Sequence, residues 1–155
     1  MNEKLLTLNN GVYILEIRTD NPFKVKITKF SDFLFPKGYY YYTGSAQKNL
    51  IQRLRRHCKK SKKKYWHIDY VTNISTNHIK SIYIFEGAVK RKETELAQLL
   101  PEKLKCEILV KKFGNSDTRN TITHLFYKTK RIPYNQLFSL YQPIVRLTPS
   151  SIEIS

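Results

Sequence analysis

The sequence predicts an α/β (α+β) protein in which helices flank one small mixed or antiparallel central sheet. Residues 38–45 form an aromatic run closed by Thr-Gly-Ser, which is typical of a strand that ends in a tight turn. Apolar residues over 50–58 then recur with helical spacing, which predicts an amphipathic helix directly after that turn. Further strands and helices alternate along 155 residues, a length that favours a single domain.

The first half of the chain predicts three strands. Residues 11–18 carry apolar side chains on both faces, as expected of a strand that is covered on both sides. Asn-Pro at 21–22 is a turn signal, and apolar residues alternate with lysines over 23–27, which predicts a second strand with one exposed, cationic face. Pro-Lys-Gly at 36–38 then turns the chain into the aromatic strand at 39–43.

The second half repeats this alternation and ends in an extension. The predicted elements are a short helix over 65–71, a buried strand over 79–86, a helix over 90–100 stopped by Pro101, an alternating strand over 105–113 and a strand over 124–127. We therefore predict a domain over 1–128 and an extension over 129–155. In the extension, Leu137, Phe138 and Tyr141 are spaced to place one helical turn on the domain or on a partner.

The composition indicates a polyanionic partner. The chain has 28 Lys and Arg against 12 Asp and Glu, a formal net charge of +16, and a pI near 9.9. Nucleic acid, DNA in particular, is the first expectation, and an anionic membrane surface is its rival. No apolar stretch is long enough to span a bilayer and no signal-peptide core follows Met1, so we expect a soluble, cytoplasmic, nucleoid-associated protein. Cys58 and Cys106 have no zinc-type spacing and are expected to be core thiols.

Two helices carry charged side chains next to their apolar stripes. Arg53 and His57 lie four residues apart along one edge of the first stripe, where they either form a site or simply face solvent. Glu93 falls within the apolar stripe of the helix over 90–100, whereas Glu95 falls on the opposite face. A carboxylate facing a core needs a cation, a metal or hydrogen bonds, which makes Glu93 a functional candidate. The alternative is that helix N–H groups and the helix dipole satisfy it.

Basic residues cluster around and after the first helix. We expect them to bind backbone phosphates without regard to sequence. The predicted nucleic-acid-binding residues are Lys48, Arg55, Arg56, Lys60, Lys62, Lys63 and Lys64.

The motifs of this chain resemble those of a known family. Gly11-Val12-Tyr13, Tyr42-Thr43-Gly44, then Arg53 and His57 on one helix and Glu93 on another resemble the ordered signature of the GIY-YIG nuclease superfamily. A further set of motifs is similar to the uncharacterised branch found alone or fused to endonuclease III-type DNA glycosylases: Phe35-Pro36-x-Gly38-Tyr39-Tyr40-x-Tyr42-x-Gly44-Ser45-Ala46, Trp66-His67-Ile68-Asp69-Tyr70, Glu93-Thr94-Glu95-Leu96-Ala97, and Phe113-Gly114-x-Ser116-Asp117 with His124-Leu125-Phe126. The resemblance covers about residues 9–127. One departure is the stretch 21–37, which separates the two tyrosine motifs.

The resemblance implies a GIY-YIG-like fold and a divalent-metal-dependent endonuclease that cleaves DNA in repair or DNA processing. Glu93 would hold a single Mg²⁺ or Mn²⁺ ion, and Arg53 would bind the non-bridging phosphate oxygens. Tyr13 would orient or deprotonate the attacking water, while Tyr42 and His57 would hydrogen-bond water and phosphate. For both tyrosines the alternative is aromatic packing with the hydroxyl satisfied at the sheet edge.

Polar residues outside the signature are candidates to complete the site. These are His67, Asn115, Asp117 and His124. His67 and Asp69 are also conceivable as a second pair of metal ligands, against the alternative that Trp66 anchors the core while its neighbours cap a helix.

Three function classes follow from these observations. The first is the endonuclease, and the second is a catalytically silent nucleic-acid-binding module that recruits a DNA repair enzyme. The third, a membrane- or RNA-associated structural protein, accounts for the charge but not for Glu93. A divalent ion bound at Glu93 would favour the enzyme over the module.

Overall fold

The computed structural model describes residues 8–114, 121–139 and 145–152 and contains a five-stranded antiparallel sheet. Its strands are β1 (Gly11–Thr19), β2 (Gly38–Ala46), β3 (Asn77–Glu86), β4 (Leu125–Lys128) and β5 (Val145–Leu147), in the spatial order β4-β2-β1-β3-β5. The helices in these ranges are a 3₁₀ helix (Thr28–Phe30), α1 (Leu50–Cys58), α2 (Asp69–Thr72), α3 (Arg91–Leu104), α4 (Tyr134–Phe138) and α5 (Pro149–Ile152). The predicted α+β class is confirmed.

The central strand β1 determines which residues meet at the site. It pairs with β2 from Gly11 opposite Ala46 onwards, so that Tyr13 lies opposite Gly44. Its other edge pairs with β3, with a register irregularity between Glu16 and Ile17. Both edges of β1 are therefore occupied, and the two tyrosine motifs lie side by side although residues 21–37 separate them in sequence.

The sheet separates two hydrophobic cores because successive side chains of a strand point to opposite faces. The front core takes Tyr13, Leu15 and Ile17 from β1 and contains the apolar residues of α1. The back core takes Val12 and Ile14 and contains the apolar residues of α3. Cys106 lies in the back core and Cys58 packs against the front core, as predicted for core thiols.

The strand predicted over residues 23–27 is wrong, although its alternation is right. Phe23 and Val25 are buried and the intervening lysines are exposed, yet only Phe23 forms a bridge, to Phe35. The rings of Phe23 and Phe35 stack with centroids 5.1 Å apart. No edge of β1 remains for this segment, so it packs through side chains and continues into the 3₁₀ helix.

Two predictions around α3 also need correction. The helix does not stop at Pro101 but continues to Leu104, where Lys105 adopts a left-handed backbone with φ 58°. A proline inside a helix removes one hydrogen bond, but the buried Leu100 keeps this segment on the sheet. The strand predicted over 105–113 is absent from the described residues except for one bridge between Glu107 and Tyr127. Left-handed backbone at both Lys105 and Lys112 interrupts any ladder there.

The segment after β4 packs on both faces of the sheet. Leu137 on α4 is fully buried in the back core, and Ile152 on α5 is buried in the front core. The helical turn predicted around Leu137 and Phe138 is present, whereas Tyr141 lies outside the described residues. The predicted domain boundary after residue 128 stays a prediction. Among the described residues, none of the helices has the length and apolar character that crossing a bilayer requires.

Candidate active site

A cavity of about 400 Å³ opens where β1 and β2 approach the start of α3. All five residues predicted for catalysis and metal binding line it: Tyr13 on β1, Tyr42 on β2, Arg53 and His57 on α1, and Glu93 in the first turn of α3. Tyr13, Tyr42 and α1 belong to the front core, whereas α3 packs on the back. The cavity thus lies at an end of the sheet that both layers can reach.

Tyr13 and His57 form a buried pair in the wall of the cavity. The Tyr13 hydroxyl lies 2.8 Å from His57 Nε2, and His57 Nδ1 has no hydrogen-bond partner within the described ranges. The pKa of His57 is lowered to about 3, chiefly by burial and also by the positive charges of Lys62, Arg56 and Arg53. Burial also raises the pKa of Tyr13 far above its usual 10, because the nearby Arg53 only partly offsets it. Both side chains are therefore neutral near pH 7.

Gly44 makes room for the Tyr13 ring on the neighbouring strand. A Cβ placed at this position would lie 2.5 Å from Cζ of Tyr13, a distance that real Cβ contacts do not show. Glycine at this cross-strand position is therefore a packing requirement of the site. Tyr42, two residues earlier on the same strand, is also buried, and burial raises its pKa well above the usual value.

Arg53 is held by contacts from two directions. Its Nη1 donates to the carbonyl of Ser45, and its guanidinium lies over the Trp66 ring, 4.9 Å from the centroid. Arg56, one turn along α1, lies over the same ring at 4.4 Å. Trp66 thus fixes the direction of Arg53 at the cavity wall.

The loop that carries Trp66 is anchored by a buried carboxylate. Arg56 makes a bidentate pair with Asp69, whose side chain is fully buried. Asp69 also accepts the backbone N–H groups of Tyr65 and Trp66 at 2.8 and 2.9 Å. Burial would raise the pKa of Asp69, but Arg56 and the two N–H groups outweigh it and hold the pKa below its usual range. Asp69 therefore anchors the loop. This agrees with the structural role predicted as the alternative to a second pair of metal ligands.

Glu93 is joined to the opposite wall of the cavity. Ser45 Oγ donates to Glu93 Oε2 at 2.8 Å, and His124 Nδ1 lies 3.4 Å from Oε1. The carboxylate is 13% exposed. His124 is in turn hydrogen-bonded by Thr43 at 2.7 Å and by Thr121 at 3.2 Å. Glu93 thus contacts side chains outside its own helix, including Ser45 on β2, and does not only satisfy the N-terminus of α3.

The remaining candidates divide into described and undescribed residues. His67 and His124 line the cavity, while Asn115 and Asp117 lie outside the described residues. His67 Nδ1 accepts the N–H of Gly114 at 2.9 Å, which places the proton of the neutral ring on Nε2. Burial lowers the pKa of His67, which favours the neutral ring. This ring is a hydrogen-bond donor in the arrangement found, which does not suit a metal ligand.

Sequence reasoning missed several residues of the site. The Ser45 hydroxyl hydrogen-bonds Glu93, and the hydroxyls of Thr43 and Thr121 hydrogen-bond His124. The cavity is also lined by Lys90, Tyr65 and Trp66. The turn predicted at Thr-Gly-Ser is wrong, because β2 continues through Ser45 to Ala46 in its pairing with β1. Nothing in the pattern indicates Thr121 or Lys90.

The predicted phosphate-binding residues fall into two groups. Lys48, Lys63 and Lys64 are exposed. The other four support the fold: Arg55 donates to the Ile152 carbonyl, Arg56 pairs with Asp69, Lys60 donates to the carbonyls of Thr72, Ile74 and Asn77, and Lys62 donates to the His57 carbonyl. Burial lowers the pKa of Lys62 to about 8. Their role in nucleic-acid binding stays a prediction.

The donor set suits a hard divalent cation with few protein ligands. The described residues contain no cluster of three or more His, Cys, Asp or Glu side chains that could hold a metal. Among the described residues that line the cavity, Glu93 is the one carboxylate. Mg²⁺ is commonly held by one or two carboxylates, with water and substrate phosphate completing its coordination. A single ion held by Glu93 fits this wall.

Comparison with known protein families identifies a family for this chain. The family profile described as "Domain of unknown function DUF123" matches residues 12–145. No curated protein and no solved structure matches the chain.

Proposed function

The chain belongs to the DUF123 family, and we propose that it is a divalent-metal-dependent endonuclease that cleaves phosphodiester bonds in DNA, in repair or processing. The family is GIY-YIG-like, and within it we propose the branch found alone or fused to endonuclease III-type DNA glycosylases. The observation that carries the proposal is the convergence of Tyr13, Tyr42, Arg53, His57 and Glu93 on one cavity. These residues come from four elements, so no local pattern forces them together.

Phosphate binding follows from the charges on the cavity wall. Arg53 and Lys90 are cationic side chains among the described residues that line it, and a guanidinium offers paired N–H donors to two phosphate oxygens. Trp66 and the Ser45 carbonyl already fix Arg53, so little reorganisation accompanies the reaction. In the proposed mechanism, Arg53 stabilises the charge that builds on the non-bridging oxygens.

The Tyr13–His57 pair would handle the attacking water. Tyr13 is too weak an acid to act as a tyrosinate near pH 7, because burial raises its pKa. In the proposed step, the hydroxyl accepts the proton of the water while passing its own proton to Nε2 of neutral His57, 2.8 Å away. The negative charge of bound phosphate offsets the burial that opposes imidazolium in the free protein.

Glu93 completes the chemistry on the opposite wall. A divalent ion bound there would offset the negative charge that develops on the leaving oxygen. Ser45 and His124 hold the carboxylate in place. The net charge of +16 and the exposed Lys48, Lys63 and Lys64 favour a nucleic-acid partner, which for DNA implies the cytoplasm and its nucleoid.

Cleavage of labelled branched, damaged, duplex and single-stranded DNA, with matching RNA, tests the proposal. Wild type is compared with Glu93→Gln in Mn²⁺ and in chelator. Glu95→Gln is the matched control, because Glu95 lies on the same helix in surface ion pairs with Arg91 and Lys92 and does not line the cavity. We expect cleavage by wild type and by Glu95→Gln in Mn²⁺, and none by Glu93→Gln.

The binding arm of the same experiment separates the two function classes. Without metal, the Glu93 carboxylate repels phosphate, so Glu93→Gln should bind DNA as tightly as wild type or slightly more tightly. Equal cleavage by Glu93→Gln and wild type would refute the metal site. If wild type binds DNA but cuts none of the substrates, the protein is instead the binding module that recruits a repair enzyme. The raised pKa of Tyr13 is the observation that favours this second candidate.

A further inference from the structure

Tyr65 is an aromatic side chain that the hydrolytic mechanism does not use. It lines the cavity and is 80% exposed, the largest exposure recorded for a large apolar side chain in the described residues. Apart from an edge contact with the Trp66 ring, most of the Tyr65 ring lies in water in the free protein. A ring exposed at the mouth of the cavity is available to a ligand that has an aromatic or apolar part.

The structure presents this ring on a fixed support. The Tyr65 N–H is bonded to the buried Asp69, so the backbone at this position is anchored. Its ring stands perpendicular to the Trp66 ring at 5.5 Å, and the guanidiniums of Arg53 and Arg56 lie over Trp66. The support of Tyr65 is therefore the same assembly that fixes Arg53 at the cavity.

The surroundings of Tyr65 combine positive charge with a second aromatic ring. Lys63 and Lys64 precede it and are exposed. Trp66, whose ring meets that of Tyr65, lines the same cavity, as do Arg53 and Lys90. A phosphate alone needs no aromatic ring. A nucleotide whose base lies beside its phosphate uses both parts.

We propose that Tyr65 stacks on an unpaired base next to the scissile phosphate, so that the substrate is single-stranded or locally unpaired DNA rather than intact duplex. This inference rests on the proposed function. In a duplex both faces of each base are covered by neighbouring bases, whereas an unpaired base offers a face to an aromatic ring. Stacking of this kind accepts any base, so the expected selectivity is for structure and not for sequence.

The test measures DNA binding in chelator, where no cleavage interferes. Wild type, Tyr65→Phe and Tyr65→Leu are titrated with a single strand, a blunt duplex and a duplex with an unpaired flap. In each DNA the fluorescent base 2-aminopurine replaces one base, and its position is varied along the strand. Tyr134→Leu is the matched control, since Tyr134 is 38% exposed and packs against Tyr83 in the back core.

We expect Tyr65→Leu to lose about tenfold in affinity for the single strand and the flap and to keep its affinity for the blunt duplex. Quenching of 2-aminopurine at one position should occur with wild type and Tyr65→Phe and disappear with Tyr65→Leu. Unchanged affinities and quenching in Tyr65→Leu would overturn the stacking inference while leaving the proposed nuclease intact. Failure of wild type to bind any of the three DNAs would overturn the proposed function, and the inference with it.

Discussion

The Tyr13 hydroxyl and His57 Nε2 lie 2.8 Å apart, and each side chain is at most 2% exposed. The pKa of His57 is about 3 in the folded protein against 6.5 for a free ring, so the unfolded chain takes up this proton first as pH falls. The stability from neutral His57 is therefore complete above about pH 6.5 and is lost as pH falls towards 3. At about 1.4 kcal/mol per pH unit, the total is on the order of 5 kcal/mol.

Urea unfolding of wild type and His57→Gln between pH 7 and pH 4 measures this effect. We expect the free energy of unfolding to fall with decreasing pH in wild type and to fall less in His57→Gln. His67 contributes with the same sign, since its pKa is also lowered by burial, so the difference between the two proteins is the informative quantity. Parallel pH profiles would show that His57 is not buried as a neutral ring.

Gly44→Ala should remove activity more than it removes stability. The new Cβ would meet the Tyr13 ring at 2.5 Å, so the ring must move, and a displacement of about 1 Å at a reacting group can cost about 100-fold in rate. Overpacking of this kind destabilises by about 1–3 kcal/mol. Cleavage rates and thermal melts check both effects.

Gly87→Ala is the control for this substitution. No atom lies within 4 Å of a Cβ at Gly87, although its φ of 73° makes alanine strained there. It should lower stability by about 1 kcal/mol and leave the cleavage rate unchanged. A Gly44→Ala protein that cuts at the wild-type rate would contradict the close approach of Tyr13.

Arg56→Leu should destabilise the protein by about 3 kcal/mol. It leaves the Asp69 carboxylate buried without its partner, and breaking one side of a buried pair costs about 3–5 kcal/mol. We place the loss at the lower end because Arg56 is 28% exposed. Denaturant unfolding of both single variants and of Arg56→Leu with Asp69→Leu gives the coupling, and additive losses would mean that the pair contributes nothing.

Charge reversal at Lys63 and Lys64 should weaken DNA binding in a salt-dependent way. If both exposed side chains contact phosphates, the slope of log K against log salt should become shallower by about 2, since each contact contributes about 0.9. Lys103→Glu is the control, because Lys103 is exposed near the end of α3 and does not line the cavity. An unchanged slope in the Lys63 and Lys64 variant would exclude these residues from the interface.

The sequence predicted elements wherever a local pattern was sufficient. Continuous apolar or aromatic runs identified β1, β2, β3 and β4, and the 3.6-residue period identified α1 and α3, because burial leaves its mark in sequence. The alternation over 23–27 recorded burial equally well, but whether a segment finds a free strand edge depends on the whole sheet. The stop at Pro101 was overridden by the packing of Leu100, a tertiary effect.

Residue chemistry and the family order predicted the side chains that line the cavity better than the residues that support them. Tyr13, Arg53 and Glu93 belong to types that phosphate chemistry requires, and the family order located them. Ser45 and Tyr65 could not be selected, because sequence does not show which hydroxyl approaches a carboxylate or which ring stays exposed. Arg56 and Lys63 look equally available in sequence, yet only the structure shows that Arg56 is committed to Asp69.

Glu16 lies on the same strand as Tyr13 but points to the other face, where it is fully buried and held by Arg131 and by the Tyr41 hydroxyl. A slip of β1 by one residue would drive this carboxylate into the front core without a partner, at a cost of several kcal/mol. The same slip would withdraw Tyr13 from the cavity. The buried ion pair therefore favours the observed register over a slipped one, since a slipped sheet would lose both the pairing of Glu16 and the position of Tyr13 at the cavity. Amide exchange of a Glu16→Leu, Arg131→Leu protein should show heterogeneous protection along β1, and uniform protection would argue against this role.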